Sequence, residues 1–350
     1  MKVLRRVFLA VCVLTVCLVF CPVVSNATPN NPKVILKMAT NAPKGVGIEL
    51  FIRNQITPAI HKVTNNDVKL DWYHGGIMGD NRDWLGKMKI DQLQGAGLDG
   101  SGVHLACPAV YTMQLPFMFN DFDEVAYIKK KMKPLFYDTF KKNGYQLLIL
   151  LDQGFDTIYS TDKAIKTVED FTNIRFATYC GRVEQEFLKV LKSSPIPLAV
   201  PEVAASMRSG VVNGLVCPSL WYLGAQLYTL GGSATVSTIR YTPAAIIVTQ
   251  KAWAKISEKH QKAIVKVTSD LELPMDKDMK RSNDKSHRAM INYGGMTEIK
   301  MDSKITEALK EKTRPLWYKL AEKKVYPKEV LDSMIKNLAE YRLMKKTKKM

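Results

Sequence analysis

Cysteine is scarce in this chain and poorly placed for cross-linking. Six of the 350 residues are cysteine, and Cys12, Cys17 and Cys21 all fall in one apolar N-terminal run. Cys107, Cys180 and Cys217 remain, an odd set that closes at most one bridge. A disulfide framework is therefore excluded, and the fold must rest on a packed core. Histidine is equally sparse: His61, His74, His104, His260 and His287 make no H-E-x-x-H and no close pair, which argues against a zinc hydrolase. Gly-Lys-Ser/Thr does not occur. Acidic residues are outnumbered, 33 against 51 Lys and Arg, for a net charge of +18. Such a surface steers anionic ligands and partners toward the protein. No nucleic-acid motif or interleaved aromatics accompany the basic "RLMKKTKKM", so no nucleic-acid partner is expected and the tail reads as frayed.

The composition that is present, 46% hydrophobic and 24% charged, is that of a globular protein, and the length suits about two domains. The first 27 residues stand apart. Lys2, Arg5 and Arg6 precede an apolar stretch from Val7 to Val24, and Ser25-Asn26-Ala27 supplies small residues for cleavage. This pattern predicts a secretory signal peptide cut after Ala27, and so a periplasmic protein. The rival reading is a retained membrane anchor, against which Pro22 and the small-residue ending count. Lipid attachment is disfavoured by the bulky Val16 and Phe20 before Cys17 and Cys21. Without the leader the net charge is +15. Export also makes nucleotide cofactors scarce, and no cofactor is expected.

Along the remaining chain, "KVILKMAT" reads as a strand. Ile48, Phe51, Ile52, Ile56 and Ile60 follow at helical spacing, with a kink expected at Pro58. "VKLDWYH", the helix "DNRDWLGKMKIDQL" and the glycine-rich strand "QGAGLDGSG" come next. The alternation restarts at "YQLLILLDQGF", "TIYST", "IRFAT", the helices "GRVEQEFLKVLKS" and "PEVAASMRSG", and "VNGLVC". The long apolar "ATVSTIRYTPAAIIVTQKAW" is expected to cross back to the first domain, and the chain from Ser257 onward reads as mostly helical. Strands alternating with helices imply mostly parallel α/β sheets covered by helices. We expect two lobes, 28–152 with 240–284 and 153–239 with 285–345. A ligand cleft should lie between them, at the carboxyl ends of the strands. An exported two-lobed α/β chain without a disulfide framework suggests a solute-binding protein.

The loop "WYHGGIMGDNRDWLGKM" poses the question of an anion cradle. Gly75, Gly76 and Gly79 are spaced G-G-x-x-G, which is not a nucleotide fingerprint. A tight turn feeding a helix fits better, with Asp80 as N-cap, Asp83 complementing the dipole, and Trp84, Leu85 and Met88 facing the core.

From this loop through "LPFMFNDFDEVA", "KTVEDFTNIRFAT", "SSPIPLAVPEVAASMRSGVVNG" and "AAIIVTQKAWAKISEKHQKAI", the chain resembles the DctP-type periplasmic receptors of TRAP transporters. The serial match covers nearly all of residues 33–310. The resemblance implies a two-lobed periplasmic binding protein (Venus-flytrap) fold, with mixed sheets and helices on both faces. It also implies a small organic acid as ligand, and delivery to a small and a large TRAP membrane subunit driven by an ion gradient.

The same resemblance points to Arg175 as a two-pronged carboxylate clamp, a role that a planar guanidinium fills better than lysine. Asn41 and Asp99 are implied as cleft residues, although each could equally cap a turn. Cys217 stands where many relatives carry an asparagine that donates to the ligand, and a thiol is a far weaker donor. Phe155 and Asp156 occupy the neighbourhood of a second arginine found in some relatives. Tyr179, Trp221 and Tyr222 could add aromatic walls. A small or partly apolar acid is expected. The alternative is an exported hydrolase of S-x-x-K type, on Ser160/Lys163 or Ser282/Lys285. Neither match has the SDN or KTG companions.

Overall fold

Eleven strands among the described residues of the computed structural model build two separate sheets. The model describes residues 32–45 and 47–347. The expected leader, with Cys12, Cys17 and Cys21, lies outside the described residues. In chain order the strands are β1 (Val34–Thr40), β2 (Val68–Tyr73), β3 (Gly95–Leu98), β4 (Tyr145–Phe155), β5 (Thr157–Ser160) and β6 (Arg175–Thr178). They continue with β7 (Ser194–Pro197), β8 (Gly214–Cys217), β9 (Ser233–Val236), β10 (Tyr241–Thr249) and β11 (Thr297–Lys300). The first sheet runs β2-β1-β3-β10-β4 and the second β11-β9-β5-β8-β6-β7.

Both sheets are mixed rather than mostly parallel. β1 pairs in parallel with β2 and β3, and β6 with β7 and β8. β10 is antiparallel to β3 and β4, and β5 to β8 and β9. The apolar segment expected to cross back does so as two strands. β9 belongs to the second sheet and β10, every residue of it buried, closes the first.

Helices pack against the sheets where the sequence alternates. The helix Asn81–Lys89 starts with a reciprocal cap: Asp80 Oδ1 accepts from Arg82 N and Asp83 N, while Asp83 Oδ2 accepts from Asp80 N. Trp84, Leu85 and Met88 form its buried face. Gly79, at φ +92°, could not carry a side chain there, because a Cβ would run into Asp83. The kink expected at Pro58 takes another form. The run Ile48–Val63 is broken by a π-helical stretch, Ile52–Ile56, directly before Pro58 near the start of the helix Thr57–Val63. Pro58 has no N–H to donate back into the preceding turn, so the ladder is interrupted there.

The helix Glu258–Asn292 is 35 residues long, about 50 Å at 1.5 Å per residue. It packs on β4 of the first sheet and also on the helix Ser219–Gly224 that follows β8 of the second. A buried ion cluster ties it down: Lys129 Nζ lies 2.8 Å from Asp152 Oδ1 and 2.5 Å from Asp276 Oδ2, and Tyr241 donates to Asp152. The basic tail is helical as far as Thr347. Arg342 makes a two-pronged pair with Glu124 at 2.8 Å, and Lys345 reaches Asp121 and Asp123. Among the described residues, no helix is long and apolar enough to cross a membrane.

Candidate functional site

The carboxyl ends of the parallel strands converge on one cleft. In an α/β sheet the backbone leaves a strand there for a loop, so the loop's polar groups face a space that no helix fills. β1 ends in Thr40, Asn41 and Ala42, and β3 in Leu98 and Asp99. From the other sheet come Thr178 and Tyr179 after β6, Pro197 and Leu198 after β7, and Pro218 after β8. Gly75 and Gly76, both at positive φ, donate to Ala42 O and Thr40 O and fix the β1 loop against the β2 loop.

Two pockets open in this cleft. The first, about 240 Å³, is walled by Pro43, Ile48, Pro201, Ala204, Pro218, Leu220, Trp221 and Met279, with Asn41 and Gln153 as its polar groups. A deeper recess of about 70 Å³ continues from it to Asp99. The second pocket, about 320 Å³, is polar. Asp80, Asn81, Arg82, Ser101 and His104 line it from one side, and Thr178, Tyr179, Gly181, Gln185 and Glu202 from the other.

Hydrogen bonds hold the recess. Asp99 Oδ1 accepts from Ser101 N (2.8 Å), Ser101 Oγ (2.6 Å) and Asn81 Nδ2 (3.0 Å), and Asp99 Oδ2 accepts from Asn41 Nδ2 (2.9 Å). Asp99 is thus both the N-cap of the helix Gly100–Ala106 and a cleft residue. Gln153 Oε1 accepts from Gly100 N, and Asn283 joins Gln153 O to Leu220 N across the two sheets. Burial pushes the His104 imidazole down to about 4, so the ring is neutral at pH 7. It stacks on Tyr111 at 4.0 Å between ring centres.

Beneath the cleft sits a fully buried ion triad. Arg240 Nε meets Asp156 Oδ2 at 2.5 Å and its Nη1 meets Glu184 Oε1 at 2.7 Å, while Nη2 donates to Val216 O. Burial pushes both carboxyls up, against the opposing pull of Arg240. Glu184 Oε2 also accepts from Tyr179 N and Cys180 N.

The expected site residues fall into three groups. Asn41, Asp99 and Trp221 line the first pocket and its recess, and Tyr179 lines the second pocket with its ring stacked on Trp221 at 6.1 Å. Cys217, Asp156 and Tyr222 are core residues, and Phe155 is half-buried against the core. Cys217 is fully buried, Phe155 packs on Phe122 and Tyr241, Asp156 belongs to the triad, and Tyr222 stacks on Tyr159 at 3.7 Å. Cys107, Cys180 and Cys217 are all free and buried.

Arg175 lies outside the cleft. It opens β6, at the strand's amino end, whereas the cleft is at the carboxyl end. Its exposed guanidinium donates to Val211 O and Gly210 O (both 3.0 Å), bracing the turn that follows the helix Val200–Arg208. Gln153, Asn81, Arg82, Thr178 and Arg240 went unnoticed in the sequence. The "DNR" run after the glycine loop could have exposed Asn81 and Arg82, but nothing local marks the other three.

Two α/β lobes around a cleft at their strand ends define the class: a two-lobed periplasmic binding fold. The chain belongs to the bacterial extracellular solute-binding proteins, family 7 (DctP), whose model matches residues 39–324. It is 21% identical over 229 residues to a "solute-binding protein" of Chromohalobacter salexigens, covering 65% of this chain and 67% of that one. The fold matches the sugar acid binding protein DctPAm of Advenella mimigardefordensis, solved with galactonate, at TM-score 0.80 and 16% identity, over 87% of this chain and 98% of that one. It also matches a TRAP periplasmic solute binding protein of Desulfovibrio salexigens with bound orotic acid, at TM-score 0.81 and 15% identity, over 87% and 99%.

Membership in a receptor family sets the hydrolase aside. The geometry of the S-x-x-K pairs agrees. Lys163 approaches Ser160 Oγ only through its backbone N–H, its Nζ pointing to Thr172 O, and Lys285 is exposed on its helix.

Proposed function

We propose that this protein is the periplasmic receptor of a TRAP transporter. It captures a small organic acid in the cleft and delivers it to a small and a large membrane subunit for uptake driven by an ion gradient. The observation that carries this reading is the convergence of loops from both sheets on a pocket lined by Asn41, Gln153 and Trp221. An acid is supported by the galactonate and orotic acid of the two solved neighbours and by Arg82. Arg82 borders the second pocket and forms no ion pair among the described residues. Across from it is the Thr178 hydroxyl, 1% exposed and without a partner. A guanidinium and a spare hydroxyl donor make a seat for a carboxylate.

Lobes of 28–152 with 240–284 and 153–239 with 285–345 would hinge on the β4–β5 and β9–β10 connections and the long helix Glu258–Asn292. Ligand held between them favours closure by its greater affinity for the closed state. The first 27 residues would be removed on export. A thermal-shift screen against organic acids tests the capture. A ligand at 100 times its Kd adds about 2.7 kcal/mol of stability. Loss of uptake on deleting the membrane subunits tests the delivery, and uptake that persists would contradict it.

A further inference from the structure

The two cleft pockets differ in charge. Among the described residues, Arg82 borders the second beside Asp80 and Glu202, whereas no lysine, arginine or histidine lines the first pocket or its recess, and Asp99 is the one ionisable side chain on their walls. Open acceptors there are Asn41 Oδ1 and Asp99 Oδ2, and Gln153 Nε2 is a donor on the same walls. Asn41 spends its amide N–H on Asp99, leaving its buried Oδ1 without a hydrogen-bond partner. Asp99 Oδ1 takes three donors but Oδ2 takes only Asn41, so a second lone pair on Oδ2 is open. The Trp221 indole lines the same two spaces. Below them, Asp156 and Glu184 share the single guanidinium of Arg240.

A bare carboxylate entering the first pocket meets no counter-charge. A cationic nitrogen meets a carboxylate, an amide oxygen and an aromatic face, the three groups that stabilise one. Building on the receptor reading above, we propose that the captured acid is zwitterionic. Its protonated or quaternary nitrogen sits among Asp99, Asn41 Oδ1 and Trp221, its apolar body lies along the first pocket, and its carboxylate turns toward Arg82.

The test is calorimetry of the exported protein with matched probes on several skeletons. Cyclohexanecarboxylate, pipecolate, N,N-dimethylpipecolate and piperidine form one set; isovalerate, leucine, leucine betaine and isopentylamine form another. A wider panel of aliphatic, cyclic and aromatic acids, each with and without the nitrogen, completes the series. Zwitterions should bind at least 100-fold more tightly than the nitrogen-free acid and the carboxylate-free amine of the same skeleton. D99N should cost the zwitterion at least 30-fold. Because Asp99 also caps a helix, W221L serves as a second variant that leaves the cap intact and should weaken the zwitterion more than the plain acid. A nitrogen-free acid binding as tightly as its zwitterion would overturn this inference and leave the receptor standing. Failure of every acid in the panel, with or without nitrogen, would overturn the receptor reading itself.

Discussion

Asn41 donates from Nδ2 to Asp99 Oδ2 across 2.9 Å, joining the loop after β1 to the end of β3, 58 residues later. Two residues that sequence alone could read as separate turn caps thus form one wall of the cleft.

Replacing that donor with an acceptor should make the wall sensitive to pH. In N41D two carboxyls face each other at hydrogen-bond distance and cannot both ionise cheaply. One of them should titrate higher in the fold than in the unfolded chain, so its contribution is retained at low pH and lost as pH rises through that value. Thermal melts should show N41D several degrees below wild type at pH 7, with the gap closing toward pH 4. An equal gap at both pH values would contradict the pairing.

Arg175 should matter to the fold and not to the ligand. R175A removes two hydrogen bonds to the carbonyls of Gly210 and Val211, a loss of about 1 kcal/mol at an exposed site. Calorimetry with any confirmed ligand should give an affinity within twofold of wild type. A tenfold loss in a folded R175A would return Arg175 to the site.

The misplacement of Arg175 shows where sequence reading reached its limit. The strands β1 to β6 and β8, the Asp80 cap, the buried face of Trp84, Leu85 and Met88, and the return of β10 to the first sheet were legible from periodicity and turn chemistry. Asn41, Asp99 and Trp221 also reached the cleft. In a strand of only four residues, however, Arg175 and Thr178 stand at opposite ends, and a shift of three positions exchanges a surface brace for a cleft wall. The Asp156–Arg240 pair spans 84 residues and joins the β4–β5 connection to the β9–β10 connection. No local pattern in either stretch marks the other as its partner.

Arg240 is the cation whose removal should be most damaging. R240M leaves Asp156 and Glu184 buried without their shared partner, a loss of about 3–5 kcal/mol. Denaturant titration should show a correspondingly lower midpoint. Replacing both acids as well, with D156N and E184Q in the same chain, should recover part of that stability. No recovery in the triple variant would mean that Arg240 acts through packing alone.

His104 should set part of the acid sensitivity. Its ordinary value is 6.5 and burial holds it at about 4, so below pH 6.5 the unfolded chain takes up a proton that the folded protein does not. This contribution is full above pH 6.5 and is lost as pH falls toward 4, on the order of 3 kcal/mol at the limit. H104Q, which cannot titrate, should lose less stability than wild type between pH 7 and pH 4.5 in parallel denaturant titrations. Identical losses would remove His104 from the acid response.

Hydrogen exchange with and without a ligand found by the screen tests most directly that the strand-end cleft is the solute site. At saturation, protection should rise together in 41–48, 75–80, 99–102, 178–182, 197–201 and 218–221, the loops that both sheets send into the cleft. Protection confined to one sheet's loops, or appearing on a surface remote from all six, would contradict it.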